Sequence, residues 1–148
     1  MSLSALLLVG AFSLACASVE PIAYKPDTSA SKDPQAEIRA LILANTVAGC
    51  ITEPEFTGTI LNVKAACTNQ GVSNSTLRFD RIDDIKLEKS GEWYRCRVVH
   101  TEGIDEWAWT SKSRRDMEEL ANAIAALSMR SFTDGAEAAP EGSDAQEI

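Results

Sequence analysis

Between Phe56 and Trp109 lie short apolar runs, the clearest alternating at two-residue spacing, with polar turn signals between them. A parallel strand pair needs a crossover of a dozen or more residues, usually a helix. No βαβ alternation is present, so the runs must pair as an antiparallel sheet. Five strands are predicted. The first is Phe56–Cys67 (FTGTILNVKAAC), with Gly58 as a bulge. Asn69-Gln70-Gly71 and Ser73-Asn74-Ser75 read as turns, and Leu77-Arg78-Phe79 starts a short strand. Ile82, Ile85 and Leu87 carry the next, and Ser90-Gly91 turns the chain. Trp93–His100 (WYRCRVVH) is the clearest strand. Tyr94, Cys96 and Val98 fall on one face, and Trp93, Arg95, Arg97 and Val99 on the other. Glu102-Gly103 makes a further turn before Trp107-Ala108-Trp109, whose indoles share one side.

Helical spacing flanks this region. Asp33-Pro34 reads as a cap followed by a proline whose missing N–H costs nothing in the first turn. Ile38, Leu41, Ile42 and Asn45 follow at helical intervals, and Gly49 supplies the stop. After the strands, Ser113-x-x-Asp116 resembles a capping box, and Met117, Leu120, Ala121, Ile124 and Leu127 form one apolar stripe. The predicted fold class is therefore α+β: an antiparallel sheet or partly closed barrel with an N-terminal helix and a C-terminal amphipathic helix. The folded domain is expected to cover residues 33–130.

The outer segments read differently. Ala5–Ala15 (ALLLVGAFSLA) is an apolar run of eleven, too short to span a bilayer and of the right length for a secretory signal. Ala15 and Ala17 offer a small-residue cleavage site before Ser18. Leu14-Ala15-Cys16-Ala17-Ser18 also resembles a bacterial lipoprotein signal. That resemblance implies removal of a signal peptide and acylation of Cys16 as the new first residue. Ala17 after the cysteine would then suit the outer membrane. Several acyl chains hold a domain stably at a bilayer, each buried CH₂ contributing roughly 0.8 kcal/mol. Residues 18–32 contain Pro21, Pro26 and several Ser/Thr with little periodicity, and read as a flexible tether. Residues 131–148 hold five acids, no base and little large apolar surface, and read as a disordered acidic tail.

A second resemblance runs through residues 77–127. It is carried by Leu77-Arg78-Phe79-Asp80-x-Ile82-x-x-Ile85, Gly91-x-x-Tyr94-x-Cys96-x-Val98, Trp107-x-Trp109-x-Ser111 and a helix ending Ala125-Ala126-Leu127. This rhythm is similar to the second half of bacterial pleckstrin-homology-like (PH-like) domains. It implies a bent barrel closed by a C-terminal helix.

The whole chain carries 14 Lys+Arg against 22 Asp+Glu, a formal charge of −8. With the acidic tail set aside, 17 acids face 14 bases, so the negative charge belongs largely to the tail. Nothing here provides the basic footprint of a nucleic-acid binder. One His and no C-x₂-C pair argue against zinc. With Cys16 acylated or removed, Cys50, Cys67 and Cys96 remain. In an exported domain two should pair, and Cys50 with Cys67 would tie the end of the first helix to the end of the first strand. Cys96 shares a face with Tyr94 and Val98 and reads as a buried thiol.

Other groupings carry no enzyme signature. Asp80, Asp83 and Asp84 sit beside Arg78 and Arg81, where solvated and capping roles are expected. Glu102, Asp105 and Glu106 surround a turn without the calcium-loop pattern. No G-x-S-x-G elbow and no phosphate-cradling glycine loop occurs. The candidate binding face is Trp93, Arg95 and Arg97, because indole and guanidinium groups stack and concentrate at binding hot spots. The alternative is that Arg95 and Arg97 pair with Glu92 or Glu106.

The expected function is a non-enzymatic binding or interaction module of the cell envelope, without cofactor or metal. Its expected partners are an envelope protein or a lipid head group, and a lipid anchor at Cys16 would hold it to the membrane. The expected location is the outer membrane or periplasm, with free secretion as the alternative. A secreted inhibitor of another enzyme is the second functional class, and a small hydrolase the third.

Overall fold

Glycine-dependent turns set the strand boundaries. Gly58 and Gly91 have φ of +58° and +60°, each at the first central position of a two-residue hairpin loop, where glycine carries no steric penalty. Gly58 is thus a turn and not a bulge, and it splits the predicted first strand in two. The computed structural model describes residues 18–101 and 106–137. Its elements are β1 (Glu20–Ile22), α1 (Pro34–Ala44), β2 (Cys50–Thr57), β3 (Ile60–Cys67), β4 (Gly71–Arg78), β5 (Ile82–Ser90), β6 (Trp93–His100), β7 (Glu106–Ser111) and α2 (Arg114–Glu137). Seven strands therefore stand among the described residues, where five were predicted. The fold is α+β, with two antiparallel sheets and two helices.

One sheet has the order β1-β5-β6-β7, the other β2-β3-β4. They form no closed barrel; of the two expected forms, the antiparallel arrangement is present, as two sheets. A short 3₁₀ turn, Phe79–Arg81, carries the chain between them. His100, at the end of β6, accepts the Arg78 backbone N–H through Nε2 at 3.1 Å. That bond joins the last residue of β4 to the other sheet.

The core lies between the sheets and the helices. Leu61, Val63 and Leu77 face it from the smaller sheet. Leu87, Cys96, Val98 and Trp107 face it from the larger one. Ile38 and Ile42 of α1 and Met117, Leu120, Ala121 and Ile124 of α2 are fully buried, as their helical spacing requires. Asp33 caps α1 by accepting from the Ala36 N–H at 3.2 Å. Ser113 caps α2 by accepting from the Asp116 N–H at 3.2 Å. Asn45 ends α1 and spans the helices, donating to the Leu41 carbonyl at 2.9 Å and to the Asp116 carboxylate at 3.0 Å.

Two segment boundaries move. Residues 18–32 are not a free tether. Glu20–Ile22 pair with Leu87–Lys89 of β5. The chain then crosses α2, where Asn122 Oδ1 accepts from the Tyr24 hydroxyl at 2.6 Å and from the Asp27 N–H at 2.8 Å. At the other end, α2 continues to Glu137, beyond the expected limit of the domain at 130. Residues 1–17, including Cys16, and residues 138–148 lie outside the described residues.

Cys50 and Cys67 form a disulfide across paired positions of β2 and β3. The expected pairing is present, but it joins two strands at the open end of a hairpin and not a helix to a strand. Closing a loop of this length constrains the unfolded chain by about 3 kcal/mol. Replacing both cysteines by serine should lower the unfolding free energy by about 2–4 kcal/mol in urea titrations, at an unchanged fold. Asn122→Ala removes one acceptor from two donors. It should cost about 1–2 kcal/mol and raise amide exchange between residues 18 and 30 more than elsewhere.

Candidate functional site

Strand β6 divides the larger sheet into two chemically distinct faces. Alternate residues of a strand point to opposite sides. Inward, Cys96 and Val98 are buried, and Trp107 and Trp109 on β7 lie opposite Val98 and Cys96. The two indoles stack with centroids 6.1 Å apart. Trp107 is 1% exposed and belongs to the core, and Trp109 packs against that core while partly buried. Neither Nε1 has a hydrogen-bond partner among the described residues.

Outward, the register builds adjoining rows. Ser90 lies opposite Trp93, Glu88 opposite Arg95, and Lys86 opposite Arg97. On β7, Thr110 lies opposite Arg95 and Ala108 opposite Arg97. On the other edge Pro21 lies opposite Glu88. The structure thus brings Trp93, Arg95 and Arg97 to one face, as the alternation predicts.

Their environments differ. Trp93 is 43% exposed, and the Lys112 ammonium sits 5.3 Å from its ring centroid. Lys112 also approaches Glu92 at 3.9 Å. Arg97 is committed to neighbours: Nε lies 3.3 Å from Glu88 Oε1, and Nη1 lies 3.8 Å from Glu106 Oε1. The Nε contact has ion-pair distance without hydrogen-bond alignment. Glu88 is only 8% exposed, and Arg97 offsets part of the cost of burying its charge. Arg95 has no ion pair among the described residues and lines a groove on this face. The alternative of arginines held by acids therefore applies to Arg97, through Glu88 and Glu106, and not to Arg95.

Between these rows lies a groove of about 280 Å³ lined by Val19, Glu88, Ser90, Trp93, Arg95 and Thr110. The sequence pattern does not reveal Val19, Ser90 or Thr110 as part of it. Val19 belongs to a segment without periodicity, and Thr110 becomes visible only once β6 and β7 are in register.

The remaining groupings stay apart. Asp84 pairs with Lys86 at 3.8 Å on the surface. Glu102 and Asp105 lie outside the described residues. No group of three or more His, Cys, Asp or Glu with metal-holding geometry occurs among the described residues. Cys96 is fully enclosed, and burial pushes its thiol up to about 12. No family model, no curated protein and no solved structure matches the chain.

Three outcomes follow. Trp107→Ala empties a core position and should cost about 3–5 kcal/mol, whereas Trp93→Ala should change stability by less than about 0.5 kcal/mol in the same denaturant series. Iodoacetamide at pH 8 should label Cys96 only after unfolding, read by peptide mass. The Cys96 thiol stays protonated in the folded state up to about 12, against an ordinary value of 9.0. The unfolded chain therefore loses that proton first, so this contribution to stability falls as pH rises from about 9 to 12. Comparing wild type with Cys96→Ala across that range should show a steeper alkaline loss in the wild type.

Proposed function

We propose that this protein is a non-catalytic binding module of the cell envelope, held to a membrane through acylated Cys16, with the outer face of the β1-β5-β6-β7 sheet as its binding surface. The observation that carries the reading is the outward set itself. An exposed indole and an Arg95 guanidinium without an ion pair among the described residues border one groove, and the Lys112 ammonium stands over the indole. Aromatic and arginine side chains dominate binding surfaces because they combine large contact area with directed charge. The Cys50–Cys67 disulfide is weak support for an oxidising compartment. The lipoprotein-like segment Leu14–Ser18 supplies the anchor. The PH-like resemblance of residues 77–127 is a sequence rhythm that belongs to the same reading. Its ligand would be an envelope protein or a lipid head group.

Growth with labelled palmitate tests the anchor. Label should enter the protein and disappear in Cys16→Ser, and label unaffected by that change would sink the lipoprotein reading. Cross-linking in intact envelopes tests the surface. Trp93→Ala with Arg95→Ala should reduce the cross-linked products at least tenfold, at unchanged thermal stability.

A further inference from the structure

The course of residues 18–22 determines which way the domain faces. Because β1 pairs with β5 from Glu20 onward, no long tether separates Cys16 from the fold. Ser18 lies with Glu20, Lys89 and Gly91 around one pocket, which places the start of the described chain beside the β5–β6 turn. Two residues of chain reach at most about 7 Å, so an anchor at position 16 would act close to this end of the sheet.

Val19, at this same end, is 56% exposed and lines the groove with Trp93. Strands lie about 4.8 Å apart. Trp93, two strands from β1, is therefore about 10 Å from Val19 across the outer face. Lys112 stands over the Trp93 ring from the far side. An amphipathic indole flanked by a long cationic side chain is the pairing that settles at the level of lipid head groups.

We infer that the ligand of this face is the surface of the bilayer that holds Cys16, with Val19 and the Trp93 indole seated among the lipid head groups. This rests on the anchor proposed above and names the occupant of the same surface. Charges around the face are mixed: Arg95 and Lys112 stand against Glu92 and the nearly buried Glu88, whereas Glu20 and Lys89, opposite each other on β1 and β5, alternate to the other side of the sheet. The contact is thus driven by the apolar side chains and the short anchor, and it should hold on zwitterionic lipid.

The full acylated chain in phosphatidylcholine vesicles, with and without bromine on the acyl chains, tests this. Three indoles are present; Trp107 is buried, and Trp109 is partly buried against the inner side of the sheet, away from this face. Brominated lipid should therefore quench the part of the emission that comes from Trp93. That quenching should vanish in Trp93→Phe, a surface change that leaves the thermal transition in place. It should persist when salt is raised to about 0.5 M, where exposed charges are screened. Emission equal in brominated and plain vesicles, with acylated Cys16 confirmed by peptide mass, overturns the membrane-facing surface and leaves the anchor standing. An unmodified Cys16 in protein isolated from its own envelope overturns both.

Discussion

The apolar stripe of helix α2 is the contact on which the other elements depend. The larger sheet and the smaller sheet share no continuous ladder, and neither covers the other's inner face alone. Met117, Leu120, Ala121 and Ile124 fill that space without exposed surface. Strands β5, β6 and β7, the 3₁₀ turn at Phe79–Arg81 and helix α1 all pack on α2. Helix α1 carries β2 in turn, so the smaller sheet is joined to the helix partly through an intermediary. Asn122, on the same helix, receives the N-terminal strap. One helix face thus organises the core while another residue of that helix fixes the outermost segment.

What the sequence made legible was whatever rested on strong periodicity. The β6 alternation put Cys96 and Val98 inside and Trp93, Arg95 and Arg97 outside, and both sets are placed accordingly. The α2 stripe and its Ser113 cap followed from spacing alone. Strand β4 was hidden because Ser73-Asn74-Ser75 has turn chemistry. An edge strand with few inward contacts needs no apolar rhythm, and only Leu77 of β4 is fully buried. Strand β2 was hidden by Pro54, which is tolerated because β2 lies at a sheet edge. The strap was hidden because β1 has three residues and its further attachment depends on Asn122, about a hundred positions away. No local pattern encodes such a partner.

The candidate surface shows the same division. Its three central residues were readable from alternation, but their inequality was not. Arg97 and Arg95 look alike in the sequence, two positions apart on one face. In the fold Glu88 and Glu106 occupy Arg97, while Arg95 keeps its charge for the groove. Glu88 is the residue that makes this distinction. Its position opposite Arg95, combined with an ion pair to the diagonal Arg97, is a matter of register and side-chain reach. Pairs of this kind across neighbouring strands are the unit of sheet stabilisation.

The strap also orders events in time. Tyr24 and Asn122 are 98 positions apart, and contacts of such separation bear the largest loop-closure entropy and form late. Strand β1 cannot dock until β5 offers an edge, and Tyr24 cannot be held until α2 exists. A segment synthesised before every other described element is therefore the last to be locked. Until then β5 presents its open backbone to any extended chain nearby. Completion of the C-terminal helix decides when that exposure ends, so the two extremities of the fold mature as one unit.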